Sequence, residues 1–406
     1  MSKFLHRWLT VSFLNLLLVA VLGFILRYKI EFSLPFIEQK YVLHSHSHFA
    51  FAGWITQTLM VLLIHHLALT HGEQILKKYR WLLYANVVTA YGMLISFFLQ
   101  GYNYLSISFS TLSILVSYCF AIYYWKDLNR IKENKVSSLW IKAALAFGVF
   151  SSLGTFGLAY MMINRLTDQN WHLANIYFYL HFQYNGWFLF AGIGLLVSRL
   201  EILYKSVKNL KFAFLLFCFA CIPAYLLSIL WIPMSAFTYG IIIFAVIAQL
   251  AGWFLIIKFW ITNKDIVNKQ FSKHGKILLF LSGTAFSIKL LLQTASVHPA
   301  LSQLSYGFRP IIIGYLHLVL LAVTSIFIIG YIFSFELIAV TKKIKMGAYI
   351  FIAGILINEI LLMLQGVAAL IYNVVPHINL MLLVAAVILF TGTSIIFLSM
   401  LKKQYQ

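Results

Sequence analysis

The sequence predicts an all-α fold, a polytopic membrane bundle of about twelve transmembrane helices. Of 406 residues, 62% are hydrophobic and only 10% are charged, whereas a soluble domain carries roughly a quarter charged residues. Apolar stretches of about 20 residues recur along the chain, which is the length that a bilayer core requires. Because these stretches are continuously apolar and do not alternate, we expect helices and not the strands of a barrel.

The spans follow one another with short loops, and every second loop is rich in lysine and arginine, as after the second span at Lys77, Lys78 and Arg80. The positive-inside rule therefore predicts that both termini are cytoplasmic, with the protein in a bacterial inner membrane and in contact with lipid. The net charge of +20 is explained by this orientation, and no nucleic-acid partner is expected. The spans are predicted at residues 7–27, 44–69, 79–100, 104–125, 139–162, 172–199, 211–231, 236–260, 276–298, 309–333, 346–371 and 378–400.

A repeat is visible in one membrane domain that covers residues 1–406. The second span contains HFAFAGW, beginning at His48, and the sixth contains HFQYNGW, beginning at His181. A similar step along the chain reaches His317 in the tenth span. We interpret this spacing as three four-helix units, at about residues 1–135, 136–270 and 271–406.

The three repeated histidines are predicted to lie in the outer half of the membrane. Ionisable residues inside a bilayer are costly and usually functional, and histidine is the commonest metal ligand. The three histidines therefore either form a shared cofactor site or make structural hydrogen bonds. The first histidine ends the run His44-Ser-His46-Ser-His48. On a helix His44 and His48 share a face while His46 points away, and the run is either a set of metal ligands or a polar cap.

The topology and the segments around His48, His181 and His317 resemble subunit I of the heme–copper oxidase superfamily. The chain is similar also to the nitric-oxide-response heme–copper membrane proteins. The resemblance implies that His48 and His317 are the axial ligands of a low-spin heme b and that His181 binds copper. It also implies that Arg309 neutralises a heme propionate.

The sequence departs from the oxidase pattern at the second heme. The family's H-x-H pair in the tenth span is here Tyr315-Leu-His317, and the seventh span contains no histidine between Lys211 and Trp231. We therefore expect one six-coordinate heme that carries electrons, with an incomplete or altered binuclear centre. The expected electron donor is a protein or a quinol.

Two charged residues are predicted inside the membrane, Lys289 in the ninth span and Glu359 in the eleventh. They lie at a similar depth, so we predict a charge pair, which serves either a proton or substrate path or helix packing. This pair supports the alternative function of a secondary transporter. A non-catalytic heme or copper sensor, or an assembly factor, is the remaining alternative to the redox protein.

Overall fold

The computed structural model describes residues 3–131, 135–202, 207–299, 301 and 308–401, and within them the chain is helical and has no β-strand. We number the long helical elements α1 to α12; the short helix Lys264–Gln270, between α8 and α9, carries no number. The elements are α1 (Lys3–Glu31), α2 (Gln39–His71), α3 (Gln74–Gln100), α4 (Tyr104–Leu128), α5 (Val136–Ile163), α6 (169–200), α7 (208–229), α8 (Ala236–Thr262), α9 (Lys273–Ser296), α10 (Arg309–Ser334), α11 (Lys342–Leu370) and α12 (Ile378–Leu401).

Ten of these helices are long and apolar enough to cross a membrane within the described residues, or eleven if the bent α7 is one span. The remaining element, α6, is continuous but carries polar residues such as Gln183 and Asn185 in its middle. The predicted spans agree with the observed helices to within a few residues at their ends. The fold class is therefore confirmed as a bundle of apolar helices that fits a multi-pass membrane protein, while the number twelve stays a prediction.

Helix α7, which corresponds to the span predicted at residues 211–231, is bent. Its α-helical part ends at Cys221, and a 3-10 segment, Pro223–Ile229, continues at an angle of 47°. Proline lacks the backbone N–H that would bond one turn back, so it breaks the α-helical ladder. The N–H of Tyr225 bonds to Ile222 O and not to the carbonyl of Cys221, which is hydrogen-bonded to the side chain of His181 instead.

The chain divides into two compact units. Unit 1 comprises Met1–Phe120, Ser272–Ser282 and Ile313–Gln406, and unit 2 comprises Ala121–Phe271 and Gly283–Ile312. The division falls within α4, α9 and α10, so it follows neither the helix ends nor the three predicted repeats.

In unit 1 the packing of α11 against α12 depends on small residues. A Cβ atom on Gly392 would lie 2.5 Å from the backbone nitrogen of Phe351 and 2.8 Å from the carbonyl oxygen of Gly347. The two backbones therefore approach one another more closely than any side chain allows, as is common between membrane helices.

In unit 2 the N-terminus of α5 is held by a carboxylate from the end of α6. Glu201 accepts hydrogen bonds from the backbone N–H groups of Val136 and Ser137 and from the Ser137 hydroxyl. Negative charge is favoured there because the first N–H groups of a helix have no partner within it. This cap joins α5 to α6 and so helps to position His181 on α6.

Candidate functional site

A π-helical segment follows each of the three histidines of the predicted repeat. The segments are Ala50–Thr56 in α2, Phe182–Phe188 in α6 and Leu318–Ser325 in α10, and they begin one or two residues after His48, His181 and His317. Such wide turns are rare and are frequently found at functional sites. They were not predicted from the sequence.

The wide turn in α2 is stabilised by buried side chains of unit 1. Asn15 of α1 donates to the carbonyl of Gly53 (2.6 Å), and Asn86 of α3 donates to that of Ala52 (3.1 Å). Trp54 Nε1 donates to Ser325 Oγ (2.9 Å), which joins the wide turns of α2 and α10 directly. These segments of α2 and α10 are thus joined to each other inside unit 1.

His46 faces α1, and its ring is held by a backbone carbonyl. Its Nδ1 atom lies 3.1 Å from Val19 O, and because a carbonyl only accepts, Nδ1 carries the proton. In a neutral imidazole the other nitrogen, Nε2, then keeps its lone pair. Gly23 allows this contact, since a Cβ there would lie 3.3 Å from His46 Cε1.

His317 has the same arrangement on α10. Its Nδ1 atom lies 2.8 Å from Ile313 O, one turn earlier in the same helix, so its Nε2 also keeps a lone pair. The first part of α10, Arg309–His317, has no buried residue. His317 is half-buried within unit 1, as His46 is.

His46, His317 and Arg27 form a cluster of polar side chains in unit 1. His46 lies close enough to His317 for the two rings to interact electrostatically, and both interact with Arg27 of α1. The structure gives the Arg27 guanidinium no hydrogen-bond acceptor among the described residues. The cluster therefore offers two metal-binding nitrogens and one unpaired cation.

His48 and His44 lie on the other face of α2, as helical spacing predicts. The His48 ring stacks on Phe97 of α3, with centroids 4.3 Å apart. Its Nε2 atom lies within hydrogen-bond distance of the hydroxyl of Tyr102 (3.1 Å), and the His44 ring contacts the Tyr102 ring edge-on. Of the two α2 histidines His46 and His48, His46 interacts electrostatically with His317, whereas His48 interacts with His44.

His181 in unit 2 has hydrogen bonds at both ring nitrogens. Its Nε2 atom donates to the carbonyl of Cys221 (2.8 Å), at the bend in α7. Its Nδ1 atom therefore accepts, and Asn185 Nδ2 lies 3.1 Å away. A copper ion at Nδ1 would have to displace this amide. Among the described residues no three His, Cys, Asp or Glu side chains converge as metal ligands.

The remaining predicted site residues are Arg309, Tyr315, Lys289 and Glu359, and Lys289 is connected to His181 through Asn185. Arg309 is exposed at the first position of α10, and Tyr315 is half-buried further along the same helix. Lys289 is buried in unit 2 and donates to Asn185 Oδ1 (2.7 Å). Glu359 in unit 1 accepts from the neighbouring Asn358 (3.3 Å). The pairing of Lys289 with Glu359 stays a prediction.

Reasoning from the sequence missed three residues of these sites: Arg27, Asn15 and Asn86. Each is a strongly polar residue within an apolar span. Placing such a residue in lipid costs free energy, and the same argument that singled out the histidines could have found these residues. A search with the sequence matches no protein-family model and no curated protein. The fold and the clusters define the class as an all-helical, multi-pass membrane protein with polar sites inside its helices.

Proposed function

We propose that this chain is a membrane heme protein in which His46 and His317 are the two axial ligands of one low-spin heme b. The observation that carries the proposal is the common arrangement of the two rings. Each Nδ1–H donates to a backbone carbonyl, and each Nε2 is left with a lone pair. Histidine ligands of metals typically donate their second N–H in this way, which fixes the tautomer and the ring orientation.

The half-buried state of both rings and the unpaired Arg27 also support a heme. Heme carries carboxylate groups, and a guanidinium binds a carboxylate through a planar pair of hydrogen bonds. Arg27 therefore replaces Arg309 as the proposed propionate partner, and His46 replaces His48 as the proposed ligand from α2.

Heme with two histidine ligands transfers single electrons and has no open position for a substrate. In this proposal Val19 O, Ile313 O and Gly23 hold the two imidazoles, and Arg27 balances the charge. We assign the protein to electron transfer in place of oxygen or nitric oxide reduction. Copper is left out because both nitrogens of His181 are engaged. The expected electron donor is a quinol or a protein.

We further propose twelve spans in three four-helix units, with both termini on the cytoplasmic side of a bacterial inner membrane. The wide turns after His48, His181 and His317 support the repeat, because the same irregularity recurs at matching positions. The lysine-rich loops support the orientation. The alternative of a secondary transporter depends on Lys289 and Glu359, and each of these side chains has a neutral amide as hydrogen-bond partner.

The proposal is tested by the heme content of the full-length protein, purified from heme-replete cells. We expect one heme b per chain and a sharp α-band on dithionite reduction. Carbon monoxide should leave the reduced spectrum unchanged, because both axial positions are filled. A colourless protein would contradict the heme proposal, and a spectral change with carbon monoxide would contradict six-coordination.

A further inference from the structure

Lys289 is a fully buried lysine in unit 2 whose partners are all neutral. Its side chain is 2% exposed, its Nζ atom donates to Asn185 Oδ1 (2.7 Å), and it lies 5.3 Å from the centroid of the Phe286 ring. Burying an ammonium without compensation is expensive, and a lysine in such a place usually has a function.

The hydrogen bonds from Lys289 run in one direction through three side chains. Lys289 donates to the oxygen of Asn185, whose amide nitrogen donates to His181 Nδ1, and His181 Nε2 donates to the carbonyl of Cys221. Asn185 belongs to the wide turn of α6, so this turn brings the amide to the lysine. His181 and Cys221 also interact with Lys289 electrostatically, and they are the titratable groups facing it from α6 and α7.

A hydrogen-bond acceptor near Lys289, the side-chain oxygen Oε1 of Gln293, has no partner among the described residues. Gln293 is 7% exposed. It lies four positions after Lys289 on α9, so the two residues share a face about 6 Å apart. Side chains on a helix lean toward its N-terminus, which directs the Gln293 amide toward the Lys289 turn.

We propose that Lys289, Asn185 and Gln293 form a proton-binding site inside unit 2. As a neutral amine, Lys289 needs one acceptor, and Asn185 Oδ1 provides it. As an ammonium it has three N–H groups, for which Asn185 Oδ1, Gln293 Oε1 and the Phe286 ring are the acceptors. The site therefore accommodates both protonation states without a carboxylate.

The step at this site is a simple proton exchange. The lone pair of the Lys289 amine takes a proton from hydronium and releases water, so one N–H bond forms and no electron is transferred. The Gln293 amide then turns its oxygen onto the new N–H. The inference does not depend on heme, because Lys289, Asn185 and Gln293 are not among the proposed heme-binding residues.

The site is tested by solid-state NMR of the full-length protein, labelled with ¹⁵N at the lysine side chains and held in phospholipid nanodiscs. The Nζ signals distinguish an amine from an ammonium. We expect one lysine signal to change from ammonium to amine between mildly acidic and alkaline pH, and to be absent in Lys289→Met. Lys289→Arg, which keeps the charge, supplies the assignment where the methionine variant does not fold.

A second variant separates proton binding from simple burial. Gln293→Leu removes an acceptor of the ammonium, so the midpoint should fall by about one to two pH units. Gln249→Leu changes another buried glutamine of unit 2, on α8, and should leave the midpoint unchanged. An ammonium signal at every pH would overturn the proposal, and so would a midpoint that Gln293→Leu leaves in place.

Discussion

Replacing His46 by alanine is expected to remove heme from the protein, whereas replacing His48 is expected to leave heme in place. His46 Nε2 has a free lone pair, and the ring interacts electrostatically with His317. The His48 ring instead stacks on Phe97, and its Nε2 atom is hydrogen-bonded to the Tyr102 hydroxyl. Losing a residue that only supports a metal ligand costs about 10- to 100-fold in affinity, so losing the ligand itself should cost at least that much. The measurement is the heme content per chain of the purified variants.

His48→Ala is the matched control for this experiment. It makes the same change two residues away on the same helix and removes the contacts of the other imidazole with Phe97 and Tyr102. His317→Ala should behave as His46→Ala does. Heme that stays in His46→Ala but leaves in His48→Ala would show that α2 binds iron through its other face.

Gly392→Ala is expected to destabilise unit 1 by about 1 to 3 kcal/mol, because an added methyl group overfills a closely packed contact. The new Cβ would lie 2.5 Å from Phe351 N and 2.8 Å from Gly347 O, and both are backbone atoms. A whole helix, α11 or α12, therefore has to shift. The measurement is the free energy of unfolding in detergent, or the thermal midpoint.

Gly240→Ala is the control variant, for which we expect a change in stability in the opposite direction. Gly240 lies in α8, and a Cβ there would meet nothing within 4 Å. Alanine within a helix is favoured over glycine by roughly 0.5 to 1 kcal/mol, so this variant should be slightly more stable than the wild type. Equal losses of stability in both variants would show that packing of α11 against α12 is not the cause.

The fold class could be predicted because lipid imposes simple requirements on a sequence. Continuous apolar segments of membrane length predicted the positions of the helices. The predicted ends differ from the observed ends by only a few residues. The bend at Pro223 was missed because a proline in a membrane helix does not always break it. The wide turns were missed because they depend on partners such as Asn15 and Asn86, which lie on other helices.

The candidate site could be predicted only in part. Helical spacing correctly separated His46 from His44 and His48, but it cannot tell which face of α2 meets α10. That choice depends on tertiary contacts, here with Val19 and Gly23 of α1. Likewise the position of Lys289 within an apolar span was evident from the sequence, whereas its hydrogen bond to Asn185 depends on the wide turn in α6.

The most direct test of the central claim is near-infrared magnetic circular dichroism of the oxidised, full-length protein, because the charge-transfer band of a low-spin ferric heme identifies its axial ligands. We predict the band of two histidine ligands in the wild type and in His48→Ala. A high-spin spectrum, or a band that indicates any other ligand pair, would contradict the assignment of His46 and His317 to one heme.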